Sequence, residues 1–303
     1  MSQSDVQERI DSVKNIRKIT RAMEMVAAAR LRRAEQRIER LRPYADAIRR
    51  MTRQAADAAG HVPNLPILEE HDSEDRVALL LITGDRGLAG SFNSQIIRAG
   101  TRAGSEYEDE GKSVTWYVAG RRGATSLNFR GFDVAESFTG FSERPSYADA
   151  RRIAEKLIAA YTDGEVDRVE VFYNHFISAM TQNVTRETLL PLQQASIMGE
   201  EDEDQDQQDE EAQDREKRSL VEYEPDPEEI LRRLIPDYVE ISVYRALLES
   251  TASELGARMT AMRSASDNAA EIIDDLTLEM NRARQAEITQ EIMEVVAGAE
   301  ALS

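Results

Sequence analysis

The chain has 303 residues, of which 31% are charged and 6% aromatic, with a formal net charge of −19, no cysteine and three histidines. Without cysteine there are no disulfide scaffolds, thiolate zinc sites, iron–sulfur clusters or thiol switches, and His61, His71 and His175 are too scattered for a multi-histidine metal site. The acidic balance argues against nucleic acid as the main partner, and no 18-residue uncharged apolar run exists to span a bilayer.

The start carries no charged–apolar–small signal segment and opens directly into a polar, helix-period pattern. Residues 4–58 read as one long helix. Val6, Ile10, Val13, Ile16 and Ile19 begin a stripe stepped by threes and fours, the narrow seam of a coiled coil. At 1.5 Å per residue this helix is roughly 80 Å long. Pro43 is expected to bend it; Gly60, Pro63 and Pro66 end it. Residues 1–60 hold 14 Lys/Arg and 8 Asp/Glu, a net of +6, against −25 for the rest. That surplus is either a solvated helix face or a surface that meets an acidic partner or an acidic part of the same chain.

The middle changes period. Residues 76–83 (RVALLLIT) form an apolar run suited to a buried strand. A helix over 91–110, a strand over 113–119, a helix over 146–161 and a strand over 167–177 follow. Further strands are expected at 184–192 and 220–223. Strand alternating with helix means a βαβ domain with a largely parallel sheet. Between the last strands, residues 199–218 carry 11 acidic and 3 basic residues with no aromatic; such a segment cannot bury enough apolar surface to order itself and reads as disordered.

A short helix over 227–235 is expected to stop at Pro236. From 237 to 301 the near-heptad stripe returns through Ile241, Leu248, Leu255, Met262, Ala269 and Leu276, giving a helix of roughly 95 Å. Two terminal helices, each with one apolar seam, bury those seams against each other, antiparallel because the chain reverses through the domain between them. The predicted fold is α/β: a long antiparallel coiled coil of the N- and C-terminal helices plus a central Rossmann-like βαβ domain. The expected divisions are 1–60, 75–225 (with the acidic insert 199–218) and 226–303.

Few residues suggest catalysis. The loop 84–93 (GDRGLAGSFN) follows a strand and opens a helix, where a phosphate cradle would lie. Its glycines are spaced G-x-x-G-x-x-G, there is no G-K-[ST], and Asp85 would repel phosphate. A structural turn and helix cap is the favoured reading. No G-x-S-x-G, H-E-x-x-H or Ser/His/Asp set is readable, and His175 on its strand reads as structural. Nine arginines against three acidic residues lie between 30 and 53, Arg30 and Arg33 among them. They are either solvent-exposed with i,i+4 pairing or a cationic belt moving past a partner's carboxylates, for which the always-charged, forked guanidinium is suited.

Three separated stretches resemble the gamma-subunit family of F-type ATP synthases: 10–34 (IDSVKNIRKITRAMEMVAAARLRRA), the loop 84–93, and 288–301 (ITQEIMEVVAGAEA). The last fits the family signature [IV]-T-x-E-x-x-[DE]-x-x-x-G-A-x-[SAKR] at Ile288, Thr289, Glu291, Glu294, Gly298, Ala299 and Ala301. The resemblance covers nearly the whole chain and implies a bacterial rotary shaft that couples proton-driven ring rotation to ATP synthesis. It implies alpha and beta subunits of a catalytic hexamer, an epsilon subunit and a membrane c-subunit ring as partners, a peripheral place on the cytoplasmic face of the cell membrane, and no membrane insertion. Catalytic residues, cofactors and metals are expected to be none in this chain. Met23 matches the position facing an acidic lever of a catalytic subunit. Arg258, Gln285 and Thr289 match shaft positions making transient polar contacts, and Glu294 lies near the tip. Arg30 and Arg33 join them as coupling residues. The sequence departs from the family in its acidic insert and in lacking the cysteine pair of chloroplast relatives, so thiol control is not expected. The alternative is a free βαβ nucleotide-binding protein or enzyme with helical arms.

Overall fold

The computed structural model of the chain describes residues 3–59, 65–192 and 226–300. The predicted strand 220–223 and the acidic insert 199–218 lie outside the described residues.

Helix α1 (Gln3–Ala59) runs unbroken through Pro43. Pro43 is solvent-exposed, while nearby Leu41, Ala45 and Ile48 pack against the opposite helix. Proline removes one backbone hydrogen bond, and this tertiary packing holds the helix together across the gap. A short 3₁₀ turn (Pro66–Leu68) leads into β1 (Arg76–Ile82), α2 (Phe92–Asp109), β2 (Ser113–Ala119), α3 (Arg121–Phe129), β3 (Val134–Phe138), α4 (Tyr147–Thr162), β4 (Arg168–Phe176) and β5 (Gln182–Leu190). The final helix, α5 (Pro227–Glu300), does not stop at Pro236 as its sequence suggests. Ile235, Val239 and Val243 on either side of the proline are fully buried. Each such side chain contributes about 1.5–3 kcal/mol on burial, enough together to outweigh the ~3 kcal/mol proline penalty.

The five strands form one sheet in the order β3-β2-β1-β4-β5. β1 pairs in parallel with both β2 and β4, while β5 returns antiparallel to β4 and closes the sheet with a hairpin. β1 is buried from Val77 to Ile82 because it is central and covered on both faces. One face packs on α4 and α5 through Leu80, Ile153, Leu157, Val171 and Val243. The other packs on α2 and α3 through Leu79, Ile96, Trp116, Leu127 and Phe172. Neither α3 nor β3 was expected. α3 has only nine residues and β3 only five, at an edge where burial alternates weakly.

The terminal helices pair antiparallel along three buried clusters. Val6 and Ile10 meet Leu276; Leu31 and Ala34 meet Ala252 and Leu255; Ile48 meets Leu234 and Ile241. The head therefore flanks the half of this coiled coil where α1 ends and α5 begins, and the other half projects. Glu287 lies beside Gln3 and Ser4. Beyond it α5 continues alone to Glu300, about 20 Å further, exposing Ile288, Ile292 and Val295.

Candidate coupling interface

In an open α/β sheet, ligands bind outside the carboxyl ends of the strands where the strand order reverses. Here the reversal falls between β1 and β4, and α5 occupies the crevice. Ser250 Oγ faces the Ile82 carbonyl at 3.4 Å, Ser253 Oγ donates to the Asn174 carbonyl at 3.0 Å, and Thr251 Oγ1 lies 2.8 Å from the Ser142 carbonyl. Glu254 packs so tightly on Gly84 that a Cβ there would stand 2.6 Å from the carboxylate and force it to shift. The remaining void between sheet, loop and helix is about 10 Å³, room for roughly one water.

The loop that sequence reading singled out is held by Asp85. Its carboxylate accepts backbone N–H bonds from Arg121 (3.0 Å), Gly140 (2.9 Å) and Ser142 (3.2 Å), and its own N–H donates to Ser142 Oγ at 2.9 Å. Asp85 thus ties three crossover loops together at one edge of the head, a structural reason for the acid that also disfavours phosphate. Asn93 completes the turn by accepting from the Gly84 N–H at 2.8 Å. The loop tip projects Leu88 in the left-handed region (φ 64°) with 62% of it exposed. A leucine there carries strain of about 1–2 kcal/mol, and such positions cluster at functional surfaces.

Between that tip and the shaft lies an open groove of roughly 540 Å³, lined by Met23, Val26 and Arg30 of α1, Arg86 and Leu88 of the loop, Arg122 of α3, and Leu255 and Arg258 of α5. Apolar side chains and guanidinium groups share the lining, with Val26 and Leu88 exposed and Arg258 buried. Glu143, from the loop before α4, is the shared counter-ion: it pairs with Arg30, with Arg86 at 3.1 Å and with Arg258 at 3.9 Å. Arg122 reaches no carboxylate among the described residues. Arg258 is only 7% exposed, bonded to Glu254 at 2.5 Å and approaching the Gly87 carbonyl at 3.4 Å. Burial pushes the Glu254 carboxyl above its ordinary pKa, Glu143 and Asp85 add to that, and Arg258 opposes it.

Of the predicted coupling residues, the fold brings Met23, Arg30 and Arg258 to this one groove. Met23 is half-buried and Arg30 exposed, whereas Arg258 supports the groove from beneath instead of projecting from the shaft. Arg33 is exposed on α1 outside the groove lining. Gln285, Thr289 and Glu294 are exposed on the projecting end of α5, with Gln285 about 40 Å along the helix from Arg258. Thr289 Oγ1 donates to the Gln285 carbonyl at 2.8 Å, and Glu294 accepts from Gln290 at 3.0 Å. Glu143, Arg122 and Glu254 escaped sequence reading. Arg86 and Leu88 stood inside the 84–93 motif; Glu143 sits in a loop without periodicity, and no local signal marks it.

A pair of long antiparallel helices, one of which fills the ligand crevice of the α/β head while its far end projects, defines a helical-stalk subunit. Comparison with known proteins agrees. The ATP synthase family model matches residues 2–302. The ATP synthase gamma chain of Rubrobacter xylanophilus is 43% identical over 299 residues, covering 99% of this chain and 98% of that one. The central stalk and c-ring structure of the Tetrahymena thermophila mitochondrial ATP synthase contains a chain that is 26% identical with a TM-score of 0.58, covering 82% of this chain and 99% of that one. A chain of the Euglena gracilis mitochondrial ATP synthase, 17% identical with a TM-score of 0.68, covers 99% of this chain and 94% of that one and shares the fold. The chain belongs to the ATP synthase gamma chain family.

Proposed function

We propose that this chain is the central rotary shaft of a membrane-associated proton-translocating ATP synthase, coupling rotation of a membrane c-subunit ring to ATP synthesis in a hexamer of alpha and beta subunits, with an epsilon subunit as a further partner. The carrying observation is that α5 fills the crevice where a βαβ enzyme would bind its ligand, while the shaft surface beside it stays open. A head sealed in this way supports a mechanical role and a subunit without catalytic residues, cofactor or metal of its own. No helix among the described residues is long and apolar enough to cross a membrane; in this reading the chain sits peripherally, on the cytoplasmic face of the cell membrane.

In this reading the domain divisions are mechanical. Residues 1–60 and 226–303 form the shaft, and residues 75–225 form the head that receives torque. The groove of Met23, Arg30 and Leu88, with Arg33 nearby, takes an acidic, partly apolar element of a catalytic subunit. Its guanidinium groups supply forked charge-assisted bonds that form and release as the shaft turns. The exposed Ile288, Ile292 and Val295, with Gln285, Thr289 and Glu294, turn within the hexamer's centre. Co-purification from membranes tests this reading: alpha, beta, epsilon and c subunits should accompany the chain, and the isolated chain should show no ATPase activity. Micromolar nucleotide binding by the chain alone would favour the free βαβ protein.

A further inference from the structure

We propose that α5 residues Thr251, Ser253 and Gly256 are a torque key: they lock the head to the shaft so that rotation entering at the head passes into the coiled coil. The proposal rests on the rotary reading above and names the residues through which it works.

Nearer its start α5 packs on the head chiefly through Leu231, Ile235 and Val239, with ion pairs from Glu240 to Arg151 at 3.6 Å and from Arg245 to Glu187 at 2.9 Å at the margin. At the carboxyl edge of the sheet it changes character. Ser253 has no exposed surface, yet its hydroxyl donates to the end of β4 at Asn174. Thr251 Oγ1 lies 2.8 Å from the Ser142 carbonyl in the loop before α4 and equally close to the Leu247 carbonyl of its own helix, so the two acceptors share its one proton. Directional bonds to separate head segments resist sliding and rotation about the helix axis, which a greasy contact resists poorly.

Gly256 supplies the third point. Glycine inside a helix is disfavoured, and alanine would be the better helix former. The reason for it is the β4–β5 hairpin. A Cβ at 256 would stand 3.1 Å from the Ala179 carbonyl oxygen and 3.3 Å from Gln182 Nε2. Gln182 in turn donates to the Ser178 and Ala179 carbonyls at 3.1 and 3.0 Å, stiffening the hairpin tip that touches the shaft. Thr260 Oγ1 approaches the same Ala179 carbonyl at 3.4 Å. Phe176 and Ala179 pack on the cluster that joins Leu31 and Ala34 of α1 to Ala252 and Leu255 of α5. The hairpin therefore grips both shaft helices on one side, and the loop holding Gly84 grips α5 on the other.

The test uses the assembled complex in inverted membrane vesicles. Thr251→Val keeps the shape of the side chain and removes the hydroxyl; Thr251→Ser keeps the hydroxyl; Gly256→Val wedges the hairpin from the shaft. Because the chain has no cysteine, single cysteines placed at the exposed positions Phe129 on the head and Asn15 on the shaft are labelled in the isolated chain with no competing thiol, before assembly into the complex. Pulsed EPR then reads the spread of distances between them. One buried hydrogen bond is worth roughly fivefold in the ratio of locked to released head. Thr251→Val and Gly256→Val should broaden the distance distribution and lower proton pumping per ATP hydrolysed, with hydrolysis itself retained. Thr251→Ser should restore both. An unchanged distance distribution in both disruptive variants overturns the lock. A broadened distribution with full pumping overturns the claim that torque passes through it. Failure of the rotary reading would look different: the unmodified chain would not support ATP-driven pumping at all.

Discussion

Glu24 of α1 accepts a 2.9 Å hydrogen bond from Nε of Arg263 on α5, a partner 239 positions away in the chain. Arg21 of the same helix approaches the second Glu24 oxygen at 2.8 Å. The bond from Arg263 is the largest influence holding the Glu24 carboxyl below its ordinary 4.5, with burial opposing it. A depressed carboxylate pKa adds stability above the ordinary value, and that stability drains away as pH falls through it. Glu24→Gln should cost about 1 kcal/mol, since Arg263 is more than half exposed and solvent weakens the pair. Urea unfolding of the full chain checks this: ~1 M salt should remove most of the difference, and adding Arg263→Gln should cost little more.

A second acid-sensitive point lies at the opposite edge of the sheet. Asp167, almost fully buried, accepts from the Arg76 amide at 2.9 Å and guanidinium at 2.6 Å, and from His71 Nδ1 at 2.9 Å. Arg76 holds its carboxyl well below the ordinary 3.8 against the opposing effect of burial. The stabilisation is complete above the ordinary value and lost as pH falls below it. Asp167→Asn should destabilise the chain at neutral pH by about 3 kcal/mol and flatten the fall in melting temperature below pH 3.8. Parallel pH profiles for the two proteins would contradict the assignment.

Leu88 separates stability from function. Leu88→Gly removes the left-handed strain but loosens the unfolded chain, so stability should rise by about 1 kcal/mol or less. The groove loses its apolar tip, and the ATP synthesis rate of the assembled enzyme should fall. Thermal unfolding and synthesis in energised vesicles check the two halves; a variant both less stable and fully active would show that the leucine serves the fold alone.

Removing residues 292–303 deletes about two and a half turns of the described helix, from the part of α5 that runs without α1 beside it. Stability of the isolated chain should change by less than about 0.5 kcal/mol, as for surface substitutions. The hexamer should still assemble, with reduced coupling. Loss of assembly in native gels would make the tip a structural keystone.

The long helices were legible because a seam of threes and fours persists over many turns, and β1 because an apolar run must be covered on both faces. Pro236 misled local reading: propensity predicts a stop, but burial of Ile235 and Val239 decides otherwise. α3 and β3 were too short to show a period. The 84–93 loop was visible as a turn, yet the role of Asp85 depends on Gly140 and Ser142, more than fifty residues later. Arg30 stood out by composition, whereas its partner Glu143 is brought near only by the tertiary fold. Likewise, nothing local tells that Ser253 and Glu254 would plug the crevice of the sheet.

The central claim is that the head and shaft turn as one body inside a hexamer. The most direct measurement fixes the hexamer to a surface, attaches a probe to a cysteine at Phe129, which is 91% exposed on the head, and watches the probe under ATP. Unidirectional rotation with three dwells per turn is the predicted result. Sustained ATP hydrolysis with a stationary or randomly turning head would contradict the account.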